Sequence, residues 1–186
     1  MISSEKQASS STHKRSLQEN VKVSSNKPNR ILISNPRACI GCRTCELFCS
    51  FQHYNEMNPA RALLQVVKDE ITGVDYPVIC RHCDKPKCME ACYFGAIKRD
   101  TQTGAVLIDS KLCVGCKNCL SSCPFGAIRI DPKTGGVTKC DLCGGEPRCA
   151  KMCKQGAIIY LEKNVAPSIF AHNAAAKPAK VLGDAK

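Results

Sequence analysis

Sixteen cysteines dominate the chemistry available to this 186-residue chain. They fall into four groups: Cys39, Cys42, Cys45 and Cys49; Cys80, Cys83, Cys88 and Cys92; Cys113, Cys116, Cys119 and Cys123; and Cys140, Cys143, Cys149 and Cys153. Each group opens with C-x2-C and closes with three residues between its last two cysteines, and no cysteine is left over. Groups one and three have the strict C-x2-C-x2-C-x3-C spacing of bacterial iron–sulfur sites. The simplest reading is four [4Fe–4S] clusters, with iron bound through these sixteen thiolates.

The spacing has a physical reason. The iron corners of a cubane lie close together, so three ligands must come from one tight loop. Short x2 gaps let the backbone curl and aim amide N–H groups at the sulfurs, which helps set the reduction potential. The x3 step suits a short helix that carries the fourth cysteine away. Group two widens its middle gap through Asp84-Lys85-Pro86-Lys87, and group four through Gly144-Gly145-Glu146-Pro147-Arg148. Pro86 and Pro147 stand two residues before the third cysteine in both, so the longer loops form one shared variant.

Two other uses of cysteine compete. A disulfide framework belongs to small secreted domains, and residues 1–30 carry no apolar stretch of the signal-peptide kind. Four-cysteine zinc sites pair two C-x2-C knuckles across a longer gap, which the x3 step does not resemble. A structural zinc-binding module stands as the alternative from another class.

The elements that must position these ligands recur along the chain. Hairpins are expected at Ile97–Asp100 with Val106–Ile108 and at Ile128–Asp131 with Val137, turning at Thr103-Gly104 and Thr134-Gly135; Thr72-Gly73 marks a third turn. Leading strands are expected at Ile31–Ile33 and Leu63–Val67, a closing strand at Ile158–Leu161, and short helices between third and fourth cysteines. The fold class is α+β, arranged as two pseudo-symmetric modules built around metal. Residues 1–30 read as a disordered or extended arm, 31–162 as the four-cluster domain, and 163–186 as a tail in which Ile169-Phe170 is a candidate anchor.

Charge supports this division. The formal net charge of +11 invites a nucleic-acid reading, but residues 1–30 hold +4 and residues 163–186 hold +3, leaving +4 for the core. Four oxidised clusters at about −2 each would turn that core to about −4. The basic excess belongs to the tails, so no nucleic-acid partner is expected. No apolar run reaches membrane-spanning length, and many thiols without an export signal point to a reducing cytoplasm. So small and Trp-free a core is expected to lean on its metal, leaving the apoprotein largely unfolded.

Cys113 to Ile128, with Pro124 after the fourth cysteine and then Phe125-Gly126-Ala127-Ile128, resembles a ferredoxin half-motif. Cys92-Tyr93-Phe94-Gly95-Ala96-Ile97 and Cys153-Lys154-Gln155-Gly156-Ala157-Ile158 echo it; group one departs, with Cys49-Ser50-Phe51-Gln52-His53. The region 31–162 resembles the four-cluster ferredoxin-like subunits of molybdenum and tungsten oxidoreductases, hydrogenases and carbon monoxide dehydrogenase. The resemblance implies a nested ligand pairing in which each fourth cysteine serves another group's cluster. The sets are Cys39, Cys42, Cys45 with Cys153; Cys140, Cys143, Cys149 with Cys49; Cys80, Cys83, Cys88 with Cys123; and Cys113, Cys116, Cys119 with Cys92. The outer module then comprises groups one and four, the inner one groups two and three. Sequential pairing, one with two and three with four, is the alternative.

The resemblance also implies function: a non-catalytic subunit relaying single electrons. Its partners would be a catalytic oxidoreductase subunit and a second redox partner, a flavoprotein subunit or a soluble carrier. A tungsten aldehyde oxidoreductase is the leading choice; carbon monoxide dehydrogenase, hydrogenase and formate dehydrogenase are alternatives. Every cluster has a full cysteine set, so no iron is left open for substrate. The sequence shows no phosphate-cradling glycine loop, no nucleophile elbow and no His/carboxylate metal set, hence no catalytic residues. Docking faces are expected at both ends of the row, and similar faces would permit head-to-tail self-association. His82 reads as a surface-loop histidine before a donor to cluster sulfur. His53 is not expected to ligate, and Phe94 and Phe125 read as packing. Lys85, Lys87, Lys117 and Arg148 read equally as solvated side chains or as charges facing a cluster or an acidic donor.

Overall fold

A computed structural model describes residues 29–169. The bulk of the expected N-terminal arm, and the tail from Phe170 onward, lie outside the described residues.

Strand β1 (Arg30–Ser34) pairs antiparallel with β8 (Ile158–Glu162), with Ile31 opposite Leu161 and Ile33 opposite Ile159. Two segments far apart in the chain thus close the cysteine-rich region. Their outer side is covered by Ala166 and Ile169, which pack with Ile33 and Leu161, so the candidate anchor residue Ile169 is partly buried against this chain.

Three hairpins follow the same plan. β2 (Gln65–Asp69) pairs with β3 (Val74–Val78), β4 (Ile97–Arg99) with β5 (Val106–Ile108), and β6 (Ile128–Ile130) with β7 (Val137–Lys139). Each turns through Asp-x-x-Thr-Gly. The carboxylates of Asp69, Asp100 and Asp131 accept the hydroxyl of Thr72, Thr103 and Thr134 and the N–H two residues on. The following glycine adopts a left-handed φ of 66–71° and returns its N–H to the aspartate carbonyl, a conformation that costs glycine little. The third turn is tied down further. Arg61 grips Asp131 through Nε at 2.9 Å and a terminal nitrogen at 2.8 Å, while its guanidinium stacks over the Tyr54 ring.

The first hairpin begins two residues later than the apolar run suggests. Leu63 and Leu64 are buried below the strand start, in one core with Leu32, Val66, Ile79, Leu142 and Ile158. That core includes Cys45, Cys49 and Cys149, so thiols and aliphatic side chains form one interior.

Four helices carry cysteines: α1 (Thr44–Tyr54), α2 (Lys87–Glu90), α3 (Asn118–Ser121) and α4 (Arg148–Met152). Each starts one residue before the third cysteine of its group. The last three end by the fourth cysteine, as the spacing suggests. α1 runs five residues beyond Cys49 and packs against α4. The Gly-Ala-Ile sequence explains the difference. After Cys92, Cys123 and Cys153, the glycine N–H bonds back to the cysteine carbonyl at left-handed φ, and a buried alanine leads into β4, β6 or β8. Group one has no such glycine, so nothing stops its helix there.

Candidate metal centres

The first two cysteines of each group flank a tight loop, and its last inner residue is left-handed in all four: Gly41 (φ 63°), His82 (44°), Gly115 (73°) and Leu142 (59°). This is the curl that points both thiols the same way. Glycine adopts it freely; histidine and leucine hold it against steric resistance.

The loops and helices bring the thiols into four constellations. One recess is bordered by Cys140, Cys143, Cys149 and Cys49, a second by Cys80, Cys83, Cys88 and Cys123, and a third by Cys113, Cys116, Cys119 and Cys92. In the fourth constellation Cys39 and Cys45 both feel the charge of Cys153, Cys45 also that of Cys39, and Cys39 that of Cys42. Neighbouring constellations also meet. Cys149 feels Cys45, Cys140 feels Cys80, and Cys119 shares an apolar cluster with Cys88, Cys92 and Cys123.

The electrostatics define what these thiols can hold. Burial pushes Cys45 up to about 12, with Glu46 and Cys153 adding to it. Burial and nearby thiolates raise Cys140 and Cys149 well above the ordinary thiol range. Raised in this way, the Cys45, Cys140 and Cys149 thiols hold their protons when no counter-charge is present. A cationic metal centre reverses that, since it binds thiolates and releases their protons. Backbone donors are in place as well. Leu63 N–H lies 3.3 Å from Cys49 Sγ, Ala157 N–H 3.2 Å from Cys153 Sγ, Ala127 N–H 3.5 Å from Cys123 Sγ and Leu142 N–H 3.4 Å from Cys140 Sγ. All-sulfur donor sets with N–H groups aimed at sulfur fit an iron–sulfur cubane.

Several polar residues beside the thiols were not legible as such. His82 is a correction: it is 3% exposed, not a surface-loop residue, and its Nδ1 accepts the Val106 N–H at 2.9 Å. Burial, with Lys139 and Arg99 nearby, pushes its imidazole down to about 3. Lys139 is 6% exposed and donates to the Val106 carbonyl and, at 3.4 Å, to that of Cys140. The only sequence signal for it is its place directly before Cys140. His53 lies between Asp141, 3.0 Å from Nε2, and the Cys49 carbonyl, 2.8 Å from Nδ1. Asp141, and after it the Cys49 thiol, push it up to about 11 against burial. His53, Asp141 and Cys143 offer ligand atoms within 4.8 Å of one another. Both His53 nitrogens are already engaged, and Cys143 borders the thiol recess, so this is an outer layer of that recess. Phe94 and Phe125 are partly exposed rather than core, each lining one recess, with Arg81 stacked over Phe125. Of the loop cations, Lys87 pairs with Glu90, and Arg148 bonds Gln52.

Among the described residues no helix is long and apolar enough to cross a membrane. The family model of the 4Fe–4S dicluster domain matches residues 71–164, which include groups two, three and four. Among curated relatives, the polyferredoxin-like subunit of an aliphatic sulfonate oxidoreductase from Pyrococcus furiosus is 35% identical, over 67% of this chain and 71% of the relative. The electron transport protein HydN of Escherichia coli is 30% identical, over 73% and 90% respectively. A solved structure of the active-site complex BamBC of benzoyl coenzyme A reductase with 1,5-dienoyl-CoA contains a chain that is 25% identical. The match covers 83% of this chain and 82% of that one, with a TM-score of 0.44. On the thiol chemistry, the family match and these relatives, the chain belongs to the 4Fe–4S dicluster domain family of iron–sulfur electron-transfer subunits.

Proposed function

We propose that the chain relays single electrons along a row of four [4Fe–4S] clusters between a catalytic oxidoreductase subunit and a second redox partner, and has no catalytic centre of its own. One observation carries this: sixteen thiols gather into four constellations, each joining three cysteines of one group to the fourth cysteine of another. That gathering supports the nested ligand sets, Cys39/Cys42/Cys45/Cys153, Cys140/Cys143/Cys149/Cys49, Cys80/Cys83/Cys88/Cys123 and Cys113/Cys116/Cys119/Cys92. It favours them over sequential pairing, which would have Cys49 serve group two. The contacts between neighbouring constellations give a row in the order group one, four, two, three. Groups one and four then form an outer module, and groups two and three an inner module, within residues 31–162.

The chain's own residues would bind the clusters, space them, exclude water and supply N–H donors; the clusters supply the one-electron chemistry. The relatives named above are subunits of oxidoreductases or electron transport proteins, which supports a catalytic partner subunit for this chain. A tungsten aldehyde oxidoreductase is the specific partner we favour from the sequence resemblance.

The test is anaerobic reconstitution of the full chain. About sixteen irons and as many sulfides per chain are expected, with visible absorption that bleaches on reduction and electron paramagnetic resonance signals from interacting clusters. Chelating the iron is expected to abolish the cooperative fold, read by circular dichroism. A colourless, zinc-loaded chain of unchanged shape would overturn the reading.

A further inference from the structure

His82 and Lys139 converge on the backbone of one residue, Val106, beside one cluster recess. His82 Nδ1 accepts the N–H of Val106, and Lys139 Nζ donates to the carbonyl of the same residue. Both side chains line the recess of Cys80, Cys83, Cys88 and Cys123. Because Nδ1 acts as an acceptor, the ring proton must sit on Nε2. That Nε2–H is buried and has no hydrogen-bond partner within the protein. Buried donors are rarely left unmatched, and histidine at φ 44° is held in a conformation where glycine serves groups one and three. Both costs have one explanation if Nε2–H points to an acceptor inside the recess.

Lys139 poses a parallel problem. Its ammonium is buried, and its hydrogen bonds go to carbonyls; among the described residues it forms no ion pair. Arg99 adds a second charge of the same kind, bonding the carbonyls of Cys83, Asp84 and Gly104. A buried cation without an anion is costly. The group-four recess is different, because its cation, His53, sits against Asp141.

We propose that His82 and Lys139 act on the group-two cluster, His82 by donating Nε2–H to one of its sulfurs and Lys139 by its charge, and make it the most readily reduced cluster of the row. The inference rests on the ligand sets proposed above. On reduction a cubane with four thiolates goes from about −2 to about −3. The electron comes from a neighbouring cluster and leaves to the next. A fixed cation and a donor both favour the more negative state. Removing a unit charge several ångströms away in a protein interior is worth at least about tenfold in the reduction equilibrium, which for one electron is about 59 mV.

The experiment is a redox titration of the anaerobically loaded full chain, followed by electron paramagnetic resonance, in wild type, Lys139→Met, Lys139→Arg and His82→Asn. Iron and sulfide counts on the wild type come first, because a low count there defeats the ligand sets rather than this inference. In Lys139→Met the highest midpoint potential is expected to fall by at least the tenfold equivalent, while Lys139→Arg retains it. In His82→Asn the same signal is expected to lose a weak histidine-nitrogen hyperfine coupling; asparagine tolerates the left-handed backbone. If Lys139→Met does not load, Lys139→Gln is read instead, since it keeps a donor without the charge. A fully loaded charge-removing variant with all four potentials unchanged would overturn the role of Lys139. A hyperfine pattern unaltered in His82→Asn would overturn that of His82.

Discussion

The strict loops of groups one and three and the widened loops of groups two and four solve one geometric problem in opposite ways. In the strict loops the left-handed inner position is Gly41 or Gly115; in the widened ones it is His82 or Leu142, and both of those are buried. The helix carrying the third cysteine is started differently too. Left-handed Arg43 and Lys117 precede α1 and α3, whereas Pro86 and Pro147, with φ fixed near the helical value, precede α2 and α4. Exposure follows the same divide. Cys42 and Cys116 are the two exposed thiols, and the residue after each first cysteine, Ile40 or Val114, is about three-fifths exposed. The strict loops present cluster sites to the surface. The widened loops close over theirs with residues that need a fixed backbone. In the proposed row the strict loops stand at the ends and the widened loops in the middle, so loop type tracks exposure along that row.

The sharpest way to break this comparison is to remove one thiol from each kind of loop. Cys149 is buried in the same core as Leu32, Leu64 and Leu142, while Cys42 lies at the surface. Cys149→Ser is expected to lose one cluster, about four irons, and with it the cooperative fold, because an unmatched hydroxyl and an incomplete metal site are left inside the core. Cys42→Ser is expected to leave the fold intact and to yield one labile cluster with the other three unaffected. Iron analysis and thermal unfolding of the two variants read this directly. Equal loss of fold in both would show that exposure does not separate the loops.

The two strict loops are themselves unequal, which gives a smaller effect. A Cβ at Gly41 would stand 2.4–2.7 Å from the carboxylate of Asp75, delivered by β3, whereas nothing lies within 4 Å at Gly115. Gly115→Ala is expected to cost about 1–2 kcal/mol from the left-handed backbone alone. Gly41→Ala is expected to cost more, since Asp75 must also move. Denaturant titration of the loaded chain measures both. If Gly115→Ala were the worse of the two, the hairpin cover over group one would have no mechanical role.

How much of this was legible follows from which residues act locally. The four thiol groups and the Asp-x-x-Thr-Gly turns are short-range patterns, and the sequence displays them in full. The stop after the fourth cysteine was legible as Gly-Ala-Ile, but the extension of α1 past Cys49 was not drawn from its absence. Leu63 and Leu64 look like strand because a short apolar run has no period that separates strand from core loop; only the packing against Cys49 and Ile79 shows where the strand begins. His82 reads as a surface-loop residue because its burial is made by β5, which returns 24 residues later. Lys139 and the Arg61–Asp131 grip carry no local signal for the same reason. Each is an ordinary charged residue until a distant element supplies its partner.

The least perturbing test concerns the exposed aliphatics. Ile40→Ser and Val114→Ser remove apolar surface from the two end loops and replace no cysteine, although Val114 also borders the group-three recess. Each is expected to change stability by less than about 0.5 kcal/mol, since neither side chain is part of a buried core. What they should change is association. If the end loops meet electron donors and acceptors, the rate of electron entry or exit should fall in one variant with one partner and in the other variant with a second partner. In Ile40→Ser the cluster potentials should remain those of wild type, and in Val114→Ser only the group-three potential should move. Stopped-flow reduction and oxidation with each redox partner, at a fixed ionic strength, separates the two ends. The variant that slows reduction identifies the receiving end, and so gives the row a direction. Two variants that behave as wild type with every partner would mean that exposure at groups one and three serves no docking, and that electrons enter elsewhere.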